Sequence, residues 1–122
     1  MTAARRRTGP ARRRATPAAV MIVAAYPNRA DAERAARALI RGRVLACATV
    51  APGARAFYRW KGKEHAEPST LLWGKTTRAN AQAAVRAIRG SHPDEVPEIL
   101  LLPILGGHAP YLAWLAGEVK RR

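Results

Sequence analysis

Two residues that can ligate a divalent metal stand close together in the second half of the chain. His92 and Glu98 bracket the segment H-P-D-E-V-P-E. Imidazole nitrogen and carboxylate oxygen are common ligands of divalent metals. A tight site takes about four ligands, so two ligands predict only weak binding of copper or another divalent cation unless other subunits contribute. The competing interpretation is structural, because a histidine at a helix end can hydrogen-bond a backbone carbonyl, and the residues favour it for His92.

A candidate anion site lies at Lys75 and Thr76, inside G-K-T-T, where a predicted strand meets a predicted helix. A helix N-terminus offers free N–H groups and the positive end of the helix dipole. The segment is not a P-loop, because Ser69 stands where the upstream glycine of that motif would be. The simpler interpretation is that Thr77 caps the helix.

The remaining reactive residue types argue against catalysis. The chain has three histidines, one cysteine and eight acidic residues, and no nucleophile–base pair is evident among them. The single cysteine, Cys47, excludes an internal disulfide and a thiolate zinc cage within one chain. We therefore predict a non-enzyme, and a lone cysteine suits the reducing cytoplasm.

Aromatic residues cluster on a stretch predicted to form a protruding hairpin. Tyr58, Trp60 and Trp73 flank this hairpin, and one small core cannot cover all three. Exposed apolar surface of this kind marks an interface, so the three residues are candidate subunit contacts. Tyr111 and Trp114 are predicted to be core or interface residues.

The charge balance is strongly basic, with a formal net charge of +14 for 122 residues. Six arginines and no acid lie in the first 18 residues, and removing those charges from +14 still leaves +8. Such surfaces attract phosphate or nucleic acid, although arginines on helix faces are more often simply solvated. No apolar run approaches the ~20 residues of a membrane span.

Residues 1–18 are predicted to form a disordered Arg-rich tail, and residues 19–122 a single domain. The tail has almost nothing to bury and cannot offset its ordering entropy, so fold and assembly should survive its removal. It lacks the apolar core of a secretory signal and only weakly resembles a transit peptide. Met21 is an alternative start of translation. Nucleic-acid binding is predicted only through this tail.

Hydrophobic periodicity predicts the elements that position these residues. A short apolar run predicts a strand at 20–25. The i, i+3, i+4, i+7 stripe of small apolar residues that follows predicts a helix from the cap Asn28 to Gly42. We further predict strands at 44–50 and 54–60, which form either a hairpin or one bent strand, followed by a turn over 61–68. A strand at 70–75 and a helix from Thr77 to Gly90 come next. The last elements are a strand at 97–104 and a helix with Pro110 in its first turn. The order β-α-β-β-α-β with an added helix is the ferredoxin-like plan of an antiparallel α+β fold.

Five motifs occur in the order and at the spacing of a known family. They are A-C-A at 46–48, Y-R-W-K-G-K at 58–63, G-K-T-T at 74–77, H-P-D-E-V-P-E at 92–98 and Y-L-A-W at 111–114. Over roughly residues 20–117 the chain resembles the CutA family of divalent-ion tolerance proteins. The resemblance implies one long bent strand, and a hairpin that pairs with neighbouring subunits to close a homotrimer.

The resemblance also implies a copper site, with departures that put it in doubt. In the family a cysteine on the first strand is a proposed copper ligand, and the matching residue here is Ala24. Cys47 matches the family's A-C position, which is structural. Asp94 replaces a common tyrosine and Thr49 a common asparagine. Gly74 replaces an aliphatic residue, which weakens a strand locally.

Three hypotheses remain open from the sequence. The first is a homotrimer linked to divalent-cation tolerance through weak metal binding. The second is a regulatory trimer that binds an anionic small molecule or nucleotide in clefts between subunits. The third is nucleic-acid binding through the tail. Titrating metals and nucleotides separates the first two, and removing residues 1–18 tests the third.

Overall fold

The structure, a computed structural model, describes residues 16–122. The prediction for the tail therefore falls almost entirely outside the described part. Within residues 16–122 the elements are β1 (Ala19–Tyr26), α1 (Arg29–Arg41), β2 (Cys47–Trp60), β3 (Lys63–Thr77), α2 (Arg78–Ser91), β4 (Ile99–Pro103) and α3 (Ala109–Glu118). None of the helices in this range is long and apolar enough to cross a membrane.

In this range the strands form one antiparallel sheet in the order β2-β3-β1-β4. The predicted ferredoxin-like plan with an extra C-terminal helix is confirmed. β1 lies between β3 and β4, and the paired strands β2 and β3 extend beyond its C-terminal end. The edges of the sheet are β2 and β4.

One face of the sheet carries α1 and α2 and contains the core. Ile22, Ala24 and Tyr26 alternate along β1 and are all buried. They pack with Leu39 of α1 and Ile88 of α2. We call the opposite side the open face. It carries the intervening residues of each strand.

A single long strand, β2, replaces the two strands of the hairpin alternative, as the resemblance implied. Its pairing with β3 shifts between Ala51 and Ala54, where Pro52 and Gly53 stand opposite one residue of β3. Gly53 has φ 91°, a conformation that favours glycine. The extra residue is a β-bulge.

The predicted turn over 61–68 was too long. β3 begins at Lys63, and the chain reverses in two residues, Lys61 and Gly62, with φ 52° and 79°. Positive φ at both central residues matches the right-handed twist of paired strands. Pro68 lies inside β3, before the pairing with β1 begins at Thr70. There β3 has only β2 as a neighbour, and sheets tolerate proline at such edges.

Helix ends agree with prediction at α1 and differ at α2. The Asn28 side chain accepts a 2.8 Å hydrogen bond from the Asp31 N–H and so caps α1. Thr77 holds the N-cap position of α2 but makes no capping hydrogen bond with its side chain. Gly90 does not end α2, which continues to Ser91 with His92 at the cap. β4 is also shorter than the predicted strand over 97–104.

Candidate functional site

A groove with a volume of about 750 Å³ lies beyond the C-terminal end of β1. The hairpin forms one wall and the loop between α2 and β4 forms the other. Its lining comprises 25–27 at the end of β1, 54–58 and Trp60 on β2, 67–69 and Leu71 on β3, and 94–98 in the loop.

Carboxylates dominate the charge of this groove. Glu67, Asp94, Glu95 and Glu98 line it, whereas Arg55 is its one basic lining residue. The whole chain has only eight acidic residues, so half of them line this one groove. Clefts lined by one sign of charge concentrate the opposite ion, and the groove therefore favours cations.

His92 lies directly behind the groove and is fully buried. Its Nε2 is 2.6 Å from the carbonyl oxygen of Ala25, and its Nδ1 is 3.0 Å from the backbone nitrogen of Asp94. The Asp94 N–H donates to Nδ1, so the proton of a neutral ring is assigned to Nε2, which donates to Ala25. The hydrogen bond to a backbone carbonyl is the one that the structural interpretation predicted. A metal would have to displace one of these two bonds.

Tyr26 stacks on the His92 ring with centroids 4.3 Å apart. The Tyr26 hydroxyl is buried and has no hydrogen-bond partner within the described residues. Burial first, and the nearby charge of Asp31 second, raise the pKa of Tyr26 to about 12. Tyr26 therefore stays a neutral phenol at neutral pH, and its ring is held at the groove by the stack with His92.

Glu98 is exposed and lines the groove, and its backbone carbonyl accepts from the Ala25 N–H at 3.3 Å. Its carboxylate makes no hydrogen bond or ion pair with residues 16–122, so it is available to a ligand. In the same range no three side chains of His, Cys, Asp or Glu converge as a metal cluster. Ala24 is fully buried in the core and supplies no ligand. One chain therefore offers an incomplete donor set.

Lys75 and Thr76 do not point to one site. Thr76 is fully buried and its hydroxyl donates to the Val44 carbonyl at 2.7 Å. Lys75 pairs with Met21 and lies on the open face. The start of α2 is instead covered by the chain itself, because Asn80 donates to Thr77 Oγ1 and accepts from Arg122.

The candidate interface aromatics share the open face. Tyr58, Trp60 and Trp73 are 42%, 40% and 42% exposed. The Tyr58 hydroxyl donates to Glu67 Oε1 at 2.8 Å, and this hydrogen bond, more than burial, raises the pKa of Tyr58. Trp73 lies where β3 pairs with β1, and Tyr58 and Trp60 lie along the hairpin. The three aromatic residues thus form one strip on the open face.

Three of the exposed apolar residues that sequence reasoning missed lie on the hairpin and on β4. Phe57 is 73% exposed on the other side of the hairpin, and Leu100 and Leu102 of β4 are exposed on the open face beside β1. The last strand is apolar on both faces in the sequence, which was the available signal that apolar side chains also lie outside the core.

Tyr111 and Trp114 pack against each other on α3, with ring centroids 5.5 Å apart. Both stay more than a third exposed. Burial and a contact with the Cys47 thiol raise the pKa of Tyr111. Leu115 and Val119, rather than these aromatics, are the buried contacts of this segment.

Comparison with known proteins agrees with this architecture. Residues 20–118 match the family model described as CutA1 divalent ion tolerance protein. A divalent-cation tolerance protein CutA of Pectobacterium atrosepticum is 36% identical over 102 residues, which cover 84% of this chain and 93% of that protein.

Solved structures give the same answer. CutA1 from Oryza sativa superposes with a TM-score of 0.85 at 30% identity, covering 88% of this chain and 98% of that one. The divalent cation tolerance protein of Thermus thermophilus superposes with a TM-score of 0.81 at 32% identity, covering 84% and 99%. The chain therefore belongs to the CutA1 family of divalent ion tolerance proteins.

Proposed function

We propose that this chain assembles as a homotrimer that contributes to divalent-cation tolerance by binding cations weakly at its acidic groove. The observation that carries the proposal is the groove itself, which four carboxylates line in a chain with net charge +14. Copper is one candidate ion, and the exposed carboxylates equally suit harder divalent cations.

Glu98 and His92 are the proposed ligands within one chain. The Glu98 carboxylate is unengaged among residues 16–122, whereas both ring nitrogens of His92 already hold hydrogen bonds. Displacing one of those bonds reduces the net gain from ligation. Weak binding, completed by donors from another subunit, follows from this arrangement.

The homotrimer is supported by the two open edges of the sheet. β2 and β4 have no second neighbour within residues 16–122, and unpaired edges are rarely left open in native proteins. Pairing of β2 in one copy with β4 in the next is a head-to-tail contact, and three such contacts close a ring. The open face with Trp73, Leu100 and Leu102 would then be covered.

Calorimetric titration of copper and zinc into the purified protein tests the metal proposal. We expect binding that weakens at least about tenfold in Glu98→Gln and in His92→Ala. Glu64→Gln is the matched control, because Glu64 is an exposed hairpin carboxylate outside the groove. Tight binding that survives the first two substitutions would place the site elsewhere, with Cys47 the next residue to change.

Light scattering at micromolar concentration tests the assembly. A mass three times that of the 13.3 kDa chain is expected, and a monomer at that concentration would overturn the proposal. The protein is further proposed to be a cytoplasmic non-enzyme.

The alternative, an anionic ligand between subunits, is favoured only by Lys75. This residue is half-buried on the open face and has no ion-pair partner among residues 16–122. An adenine-nucleotide panel in the same calorimeter separates the two functions. Nucleotide binding that is lost in Lys75→Gln would favour the alternative.

A further inference from the structure

The acidic groove carries more carboxylates than one metal ligand requires. Besides Glu98, it is lined by Glu67 on the hairpin wall and by Asp94 and Glu95 on the loop wall. Within residues 16–122, no three side chains of His, Cys, Asp or Glu are grouped so that they could hold one metal ion. The carboxylates are therefore distributed over two walls of the groove rather than gathered at one point.

Apolar side chains line the same groove. Phe57 on the hairpin is 73% exposed and Val96 in the loop is 67% exposed, and Pro27 at the end of β1 joins them. Ligand pockets typically combine such an apolar lining with a few polar groups. Because a hydrated metal ion gains nothing from apolar surface, this lining points to a cation that has a hydrocarbon part.

A buried polar group at the groove lacks a partner. Tyr26 lines the groove and is only 2% exposed, and its hydroxyl makes no hydrogen bond with any described residue. A buried hydroxyl without a partner is unfavourable, so a ligand that hydrogen-bonds it gains affinity by removing that penalty. The phenol is neutral, and its oxygen can accept a hydrogen bond from an ammonium group.

One basic residue opposes a cation in the groove. The Arg55 guanidinium lies 5.8 Å from the centroid of the Phe57 ring, within the distance at which an aromatic ring attracts a cation. Arg55 is exposed and belongs to the lining. A cationic ligand therefore competes with Arg55 for this ring, and removing the guanidinium should favour the ligand.

We propose that the groove binds a linear aliphatic polyamine, with ammonium groups on the carboxylates of both walls and methylene groups against the apolar lining. Ammonium groups donate charge-assisted hydrogen bonds to carboxylates, and carboxylates on two walls suit a cation whose charges are also separated. One ammonium group donates to the Tyr26 hydroxyl. The inference uses the acidic groove of the proposed function but needs neither His92 nor Glu98 as a metal ligand.

Calorimetric titration of spermidine into the purified full chain, at neutral pH and about 50 mM sodium chloride, tests this inference. The net charge of +14 repels a polycation from the protein as a whole, so measurable binding reports a local site. The groove variant is Glu67→Gln, Asp94→Asn and Glu95→Gln, which leaves the proposed metal ligands in place. We expect this variant to bind spermidine roughly tenfold more weakly, because three ion pairs are lost.

The matched control removes the same charge elsewhere. It carries Glu33→Gln, Glu64→Gln and Glu118→Gln, and none of these three residues lines the groove. Its affinity for spermidine should fall by less than about threefold, through the change in net charge alone. Equal losses in the groove variant and the control would overturn the inference.

Two single substitutions change affinity in opposite directions. Tyr26→Phe should weaken spermidine binding by roughly threefold to tenfold, because it removes one hydrogen bond to the ligand. Arg55→Gln should strengthen binding, because it removes the positive charge from the lining. Unchanged affinity in Tyr26→Phe, or weaker binding in Arg55→Gln, would contradict the proposed arrangement.

A comparison of two divalent cations separates a polyamine site from simple attraction of charge. Putrescine and Mg²⁺ carry the same charge, but only putrescine has methylene groups for the apolar lining. Putrescine should bind more weakly than spermidine and more tightly than Mg²⁺. Equal affinities for putrescine and Mg²⁺ would overturn the inference.

The polyamine and metal proposals fail separately. Spermidine binding that persists in Glu98→Gln and His92→Ala, when copper and zinc binding is lost, supports two different ligand sets. Absence of spermidine binding up to about 10 mM would overturn the inference even if the metals bind as proposed. Binding of a short oligolysine peptide without binding of spermidine would show that the ligand class is wrong.

Discussion

Tyr26 and His92 form the most constrained contact of the site, since both rings are buried and stacked. The Tyr26 hydroxyl has no partner within the described residues, so removing it loses no hydrogen bond there. We expect Tyr26→Phe to leave the free energy of unfolding unchanged or to raise it by up to about 1 kcal/mol. Urea unfolding at neutral pH measures this. A loss above about 1 kcal/mol would show that the hydroxyl has a partner.

The raised pKa of Tyr26 predicts that the free energy of unfolding depends on pH. The folded-state pKa of Tyr26 is about 12, against 10.0 in the unfolded chain. Below about pH 10 the phenol is neutral in both the folded and the unfolded state, and its contribution to the free energy of unfolding is fully present. Between about pH 10 and 12 only the unfolded state ionises, so stability falls as pH rises. Urea unfolding over this range should show a steeper fall for the wild type than for Tyr26→Phe.

Gly74 explains one departure from the family pattern. A Cβ built there would lie 2.7 Å from Leu45 Cδ1 and 2.9 Å from Ile22 Cγ2, so those core side chains already fill the space of a larger residue. Gly74→Ala should lower stability by about 1 to 3 kcal/mol through overpacking. Gly90→Ala is the control, because its Cβ meets nothing within 4 Å and its higher helix propensity should add up to about 1 kcal/mol. Thermal denaturation of both variants checks the contrast.

At the scale of elements, the bulge in β2 decides which side chains face which way. Side chains alternate along a strand, so an extra residue reverses the pattern beyond it. Tyr58 and Trp60 therefore face the same side as Trp73, and Phe57 faces the other. Without the bulge, Phe57 and Arg59 would have joined the open face.

This arrangement predicts unequal effects of two aromatic substitutions on assembly. Trp60→Ala should weaken trimer association by roughly 2 kcal/mol or more, as central aromatic anchors do. Phe57→Ala, on the opposite side of the hairpin, should have a smaller effect. Sedimentation equilibrium of both variants measures the difference. Equal association constants for Trp60→Ala and the wild type would remove Trp60 from the interface.

Sequence reasoning reached the elements because their signals are local. Asn28 caps α1 where its residue type predicts, and the apolar run of β1 is a central strand. The turn was misplaced because Pro68 resembles a strand breaker, and only its position on a locally unpaired edge makes it acceptable. The one-strand reading of β2 came from the resemblance, since Pro52-Gly53 is equally consistent with a turn.

The groove and the contact between Arg43 and Lys120 could not be predicted in the same way. Glu67 lines the same groove as Asp94 and Glu95 only because the hairpin and the loop before β4 lie at one end of the sheet. Arg43 and Lys120 are likewise distant in sequence and joined by a backbone hydrogen bond. Such convergence depends on strand register and on tertiary contacts, which residue patterns do not contain. Lys75 and Thr76 show the opposite case. They are neighbours in sequence, but their side chains do not share a site because successive residues face opposite sides of a strand.

For the whole molecule, the main result is an uneven distribution of the acidic residues along β1. At about 3.3 Å per residue, the eight residues of β1 span about 23 Å. Seven of the eight carboxylate residues lie at or beyond its C-terminal end: Asp31, Glu33, Glu64, Glu67, Asp94, Glu95 and Glu98. Six cations lie at the same end and largely offset these carboxylates: Arg29, Arg34, Arg55, Arg59, Lys61 and Lys63. The positive charge of the rest of the molecule is therefore almost without compensating acids.

This excess of positive charge affects how particles interact with one another in solution. At low ionic strength a net charge of +14 keeps the particles apart by mutual repulsion. Above about 0.1 M salt the screening length falls to about 10 Å, and the repulsion weakens. Light scattering at neutral pH should therefore give a positive second virial coefficient at about 20 mM salt that falls as salt is added. A negative coefficient at low salt would show instead that attraction between unlike charges prevails.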